Sequence, residues 1–258
     1  MMEPLTIALS FLFGLVSPVG VVGDRLAADA IRKQLYQVDD LQVRIDNTPS
    51  YQVITGRVDK VRVAGRGLYL TPDIRIDTLE METDEIALAG LQAKLQKPLQ
   101  GAFRLVLTQD DLNRALRSPQ ILGALGQDSG TPTPPGSTTA VRRGRYTILN
   151  PQMQLLGGDR LKLTAQLMEK GFPDVLNISV ETSIRVKAGR EVDLADLVVK
   201  ANDQLAPPFL VDTIAKGVTK QFDLNQLEQQ GITARILRLE QVGNQLSIVG
   251  FLQLRPQQ

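Results

Sequence analysis

Leu176-Asn177-Ile178-Ser179-Val180-Glu181-Thr182-Ser183-Ile184-Arg185-Val186 decides the fold class. Leu176, Ile178, Val180, Ile184 and Val186 share one parity, with Thr182 as the single interruption, and Asn177, Ser179, Glu181, Ser183 and Arg185 share the other. Successive side chains of a strand point to opposite faces, so this alternation predicts a strand with one apolar and one solvated face. At ~3.3 Å per residue the stretch reaches about 36 Å, twice the common strand length. Long antiparallel strands of this kind imply a large sheet whose apolar side has to be covered.

The same pattern recurs outward in both directions. Leu161, Leu163, Ala165 and Leu167 alternate with Lys162, Thr164 and Gln166, and Leu41-Gln42-Val43-Arg44-Ile45 alternates as cleanly. Val61 and Val63 continue it, Ile74 and Ile76 alternate with Asp73, Arg75 and Asp77, and Leu79 and Met81 then shift parity by one, as a bulge would. The chain closes with two strands, Ile232–Val242 and Gln245–Leu254, around a Gly243-Asn244 hairpin turn. Covers are fewer. Ala27, Ile31, Leu35 and Val38 recur at helical spacing and predict an amphipathic helix of ~15 residues. Thr108 with Asp111 is a variant capping box, followed by the apolar positions Leu112, Ala115 and Leu116, then Pro119, Ile121, Leu122 and Leu125. A third helix is expected near Phe209–Phe222, where Val211, Ile214, Ala215, Val218 and Phe222 lie on one side. Residues 127–140 lack periodicity and are rich in Pro, Gly, Ser and Thr, the composition of a flexible loop. Strands of one character flank it, so the order of elements predicts a single α+β domain over 24–258, with a long antiparallel sheet as its main component.

Composition removes whole classes of chemistry. The 258 residues include no Cys, His or Trp, which excludes disulfides, thiol nucleophiles, imidazole catalysis and Cys/His zinc sites. A formal net charge of +1 argues against nucleic-acid binding by bulk charge, and 4% aromatic residues are too few for a stacking surface. No P-loop, dinucleotide-binding glycine pattern, zinc-protease motif or nucleophile elbow occurs.

Leu5 to Gly23 carries no charge and would reach about 28 Å as a helix, roughly one hydrocarbon core. The segment 1–23 reads as an anchor, an apolar lid or a signal; the absence of a basic n-region weakens the last, and Gly14, Pro18, Gly20 and Gly23 weaken a spanning helix. Glu80, Glu82, Asp84 and Glu85 offer hard oxygens for a cation, but on a strand the first three spread over ~13 Å and read as a solvated face. Arg142, Arg143 and Arg145 could hold phosphate headgroups or an anionic membrane surface, or simply solubilise a loop edge. Asn177-Ile178-Ser179 matches a glycosylation sequon in mid-strand, where it is a chance match. What remains is the aliphatic excess, which fits either an ordinary core or a greasy tunnel sized for acyl chains.

Four stretches carry a resemblance: Leu41–Asp46, Gly56–Leu68, Leu79–Asp84 and Leu107–Leu116, in this order and spacing. Together they resemble the LmeA-like family found in actinobacteria and cyanobacteria, over about Val16 to Gln253, and the Ser17-Pro18 lead-in is closer to the cyanobacterial branch. The resemblance implies phospholipid binding in the cell envelope. It also implies a fold like the tubular lipid-binding (TULIP) domains, a long curved antiparallel sheet wrapped around one or more helices. It maps no catalytic residue and no cofactor.

The expectation is therefore a non-enzymatic phospholipid-binding or lipid-transfer protein, membrane-associated, on the periplasmic side of the envelope by family resemblance. Acyl chains would be lined by Leu112, Leu116, Leu125, Ile214, Val218 and Phe222, with headgroups or the membrane surface at Arg142, Arg143 and Arg145. The rival readings are an anchored scaffold protein supporting envelope glycan or lipid assembly, without a cavity, and an enzyme working through paired carboxylates. No spacing predicts such a pair.

Overall fold

The computed structural model of the chain describes residues 24–48, 57–89, 94–122, 146–169, 171, 175–208, 211 and 223–256. Its strands are β1 (Gln37–Asp46), β2 (Arg57–Val58), β3 (Lys60–Tyr69), β4 (Arg75–Thr83), β5 (Ile86–Ala89), β6 (Lys94–Leu95), β7 (Leu99–Thr108), β8 (Tyr146–Gly157), β9 (Arg160–Glu169), β10 (Val175–Lys187), β11 (Glu191–Ala201), β12 (Gln204–Leu205), β13 (Ile232–Val242) and β14 (Gln245–Leu254). The helices described in full are α1 (Asp24–Arg32) and α2 (Gln109–Leu116), with a 3-10 helix over Leu224–Gln230. A six-stranded sheet runs β1-β3-β4-β7-β14-β13, a five-stranded sheet β12-β11-β10-β9-β8, and β2, β5 and β6 form a small third sheet. The class is the expected one: α+β, dominated by large curved antiparallel sheets, consistent with a TULIP-like fold.

The topology follows from short connections. β8 to β12 form a continuous meander inserted between β7 and β13, and β14 returns to pair with β7 from Gln245↔Thr108 to Leu254↔Leu99. β10 extends over Val175–Lys187, one residue beyond the sequence reading at each end. The interruption at Thr182 has a partner: its hydroxyl donates to the Ala195 carbonyl at 2.8 Å, and the side chain is buried. In β8 a bulge falls between Leu149 and Gln152, where Asn150 takes φ 50° and Pro151, with no N–H to donate, sits on an edge strand.

The principal core covers one face of the six-stranded sheet. Ala27, Ala28, Ile31 and Leu35 pack there with Leu41, Val43, Val63, Leu79 and Met81, and Leu224 and Leu227 of the 3-10 helix close the far side. α1 also guards the edge strand: Asp24 accepts from Ile45 N at 2.9 Å, and Arg32 Nη2 donates to Leu41 O at 3.1 Å. The helix ends at Arg32, shorter than the periodicity predicts, because Val38 is already in β1, where it pairs with Leu68. The other edge, β13, bulges between Ile236 and Arg238, and the Gly189 carbonyl at the β10–β11 turn accepts from Ile236 N at 2.8 Å.

The parity shift in β4 is real but is not a bulge. Ile76 and Leu79 are both buried, yet pairing with β3 runs without offset from Leu68↔Ile76 to Arg62↔Glu82. Alternation breaks across three strands at once, with Leu68 and Ile76 buried on one side of the break and Leu41, Gly65 and Leu79 on the other. Gly67 at φ 58° lies on this line, and a Cβ there would collide with the Asp39 carboxylate. The acidic run from Glu80 to Glu85 is ion-paired: Glu82 of β4 binds Lys60 and Arg62 and Glu80 binds Arg104 across strands, while Glu85, beyond β4, binds Lys97.

Candidate functional site

The five-stranded sheet contributes nothing to the principal core among the described residues. Its strands nevertheless align one aliphatic face across the register. Leu176, Ile178 and Val180 of β10 stand opposite Leu167, Ala165 and Leu163 of β9, and Ile184 and Val186 stand opposite Leu194 and Val192 of β11. β8 extends the row with Ile148 opposite Leu167, Met153 opposite Leu163 and Leu155 opposite Leu161. Among the described residues of this face, Leu161, Val180, Thr182 and Val199 are buried, and the other aliphatic side chains keep part of their surface in water. An apolar surface of this length, left half covered, is what an acyl chain requires.

α2 sits at the junction between this sheet and the six-stranded one. Thr108, the last residue of β7, caps it: Thr108 Oγ1 accepts from Asp111 N, and the Asp111 carboxylate accepts from Thr108 N, the reciprocal pair of a capping box. The same carboxylate, 3% exposed, accepts from Arg75 Nη1 of β4 at 3.1 and 3.0 Å. Arg75 also binds Asp77 at 3.2 Å and lies 5.7 Å from the Tyr69 ring centroid. Burial pulls its guanidinium pKa down, but the bonds to Asp111 and then Asp77 outweigh this and hold it above the ordinary value. From the other side of α2, Asn113 brackets β8, donating to Met153 O at 3.0 Å and accepting from Met153 N at 2.6 Å, while Gln109 Oε1 accepts from Leu155 N at 2.8 Å. Polar bonds thus clamp α2 beside the edge strand that carries Ile148, Met153 and Leu155.

Of the lining residues expected from sequence, Leu112 and Leu116 lie on α2 and are half buried. Leu125, Ile214, Val218 and Phe222 lie outside the described residues, as do Arg142, Arg143, Arg145, the segment 1–23 and the loop 127–140. Sequence reading missed the contributions of β8 and β11. Val192 and Leu194 did alternate with Asp193, but Asp196 at φ 53° breaks the pattern, as the bulge at Asn150-Pro151 breaks that of β8. Among the described residues no group of three or more Asp or Glu is placed to hold a metal ion, and no helix is long and apolar enough to cross a membrane.

No curated protein and no solved structure matches the chain. A family model does, over residues 17–251, which takes in both sheets, α2 and the aliphatic face. With nearly its whole length matched, the chain belongs to the LmeA-like phospholipid-binding family.

Proposed function

We propose that the protein holds phospholipid acyl chains against the aliphatic face of the five-stranded sheet, beside α2, and carries or presents them at a cell-envelope membrane without chemical change. The observation that carries this reading is the face itself: three long strands and an edge strand align Leu, Ile, Val and Met in register, outside the principal core. Desolvation supplies the energy. Each buried methylene is worth about 0.8 kcal/mol, so roughly ten of them yield about 8 kcal/mol before the cost of immobilising the lipid. No charged contact is needed for affinity, and headgroup contacts, with Arg142, Arg143 and Arg145 as candidates, would set orientation. Leu112 and Leu116 serve as lining from α2, joined by Leu125, Ile214, Val218 and Phe222. Residues 24–258 form the lipid-binding domain in this reading, and the apolar 1–23 segment, uncharged from Leu5 on, keeps it near a membrane.

Native mass spectrometry of protein isolated without detergent tests the proposal. Phospholipid adducts, identified after extraction, are the expected result. An unadducted mass after incubation with phospholipid vesicles would overturn it and favour the scaffold reading.

A further inference from the structure

The opposite face of the same sheet is largely polar. β8 to β11 form a recess of about 380 Å³ there. One register row crosses it: Gln152, Thr164, Ser179, Lys200 and Leu205 are successive cross-strand partners from β8 to β12. Neighbouring strands are ~4.8 Å apart, so the Thr164 and Ser179 hydroxyls and the Lys200 ammonium can reach one small group. None of these three has a side-chain hydrogen-bond partner or ion pair among the described residues. Beside the row runs a directional amide relay, Asn150 Nδ2 donating to Gln166 Oε1 at 3.0 Å and Gln166 Nε2 to Asn177 Oδ1 at 3.2 Å. The relay occupies the acceptors of Gln166 and Asn177 and leaves the Asn177 Nδ2 protons unspent among the described residues.

The charge balance has the same sign. Arg160 at 3.5 Å and Lys162 at 3.1 Å share the single carboxylate of Glu181, and Lys200 is the third cation of the cluster. Three cations against Glu181 and Asp203, which itself lines the recess, leave a net +1, and Lys200, the Thr164 and Ser179 hydroxyls and the Asn177 amide protons supply donors. The positive balance and the donors around Lys200 favour a negative, acceptor-rich group such as a phosphate. Three exposed aliphatic residues, Val175, Val198 and Leu205, share this face, as suits a phosphate reached at an acyl–water boundary.

We infer that the outer face of the five-stranded sheet is a phosphate-binding site built by Lys200, Ser179, Thr164 and Lys162, separate from the surface that takes the acyl chains. The shared chemistry admits two sources, the headgroups of an anionic bilayer or a soluble phosphate ester. The test uses the full chain, vesicles of phosphatidylcholine with or without phosphatidylglycerol, and glycerol 3-phosphate. Wild-type protein is expected to sediment with the anionic vesicles, and Lys200→Gln to bind them about tenfold more weakly, the effect of one charge-assisted bond. Ser179→Ala is expected to weaken binding less, and both variants to keep the co-purified phospholipid of the wild type. Lys97→Gln, which removes the same charge from the β6–β7 connection, is expected to bind as wild type. Glycerol 3-phosphate binding that depends on Lys200, without vesicle binding, assigns the site to soluble esters. Failure of both probes to bind, or equal losses in Lys97→Gln and Lys200→Gln, overturns the inference, whatever the outcome for acyl-chain binding.

Discussion

Replacing Asp111 by Ala severs the clamp that seats α2 beside the aliphatic face. The carboxylate is 3% exposed and accepts four bonds, two from Arg75 Nη1 at 3.1 and 3.0 Å and two from Thr108, N at 3.2 Å and Oγ1 at 2.6 Å. Loss of an N-terminal capping interaction costs about 1 kcal/mol, and loss of a hydrogen bond to a charged partner about 1.5–3 kcal/mol. Arg75 keeps Asp77 and the Tyr69 ring, so no charge is stranded without a partner. The expected total is about 3 kcal/mol. The chain has no Trp, so far-UV circular dichroism during urea unfolding is the appropriate signal. A cycle with Arg75→Gln should return a coupling of about 1–2 kcal/mol, since the two residues touch. Because α2 holds Leu112 and Leu116, Asp111→Ala protein that remains folded should also carry less phospholipid. A variant within about 0.5 kcal/mol of wild type, or a coupling near zero, would show that the clamp does not hold the helix.

Three further outcomes are expected. Ile178→Asn combined with Leu163→Asn places two amides on the half-covered face; lipid extracted per mole of protein should fall by more than half, and the melting temperature should drop little, because neither side chain belongs to the principal core. Gly67→Ala should destabilise by about 1–2 kcal/mol from the left-handed backbone alone, with a further loss from displacement of Asp39, read as a lower urea midpoint; a neutral result would refute the constraint at φ 58°. Hydrogen bonds from Lys60 and Arg62 hold the Glu82 carboxyl below its ordinary range, and Lys162 and Arg235 do the same for Glu181 and Glu228. Each folded value is depressed, so this stabilisation is present above the ordinary glutamate pKa and lost as pH falls through the lowered values. Melting temperature should therefore decline on acidification, and Glu82→Gln should flatten that decline.

Strands that alternate cleanly were legible. Leu161–Leu167, Leu176–Val186 and the final hairpin were readable because a strand with one apolar face shows period 2, whatever lies far away in sequence. The capping box at Thr108 was legible for a similar reason, since its chemistry is local to four residues. Reading failed where tertiary structure overrode local pattern. Val38 fits a helical period but is captured by Leu68 in β1, and the break at Leu79 is shared by β1 and β3, so β4 alone could not reveal its cause. Arg75 and Asp111 meet across 36 positions, and nothing in either segment announces the other. The aliphatic excess was visible as composition, but its separation from the solid core depends on which sheet each strand joins.

That separation has a consequence for how such a chain can change over generations. Mutations on β8 to β11 that resize or reshape the greasy surface leave untouched the interlocked side chains that keep the other sheet standing. Selection can therefore reshape that surface in one half without risking collapse of the other, so long as Asn113, Gln109 and Gly189 keep the two halves joined.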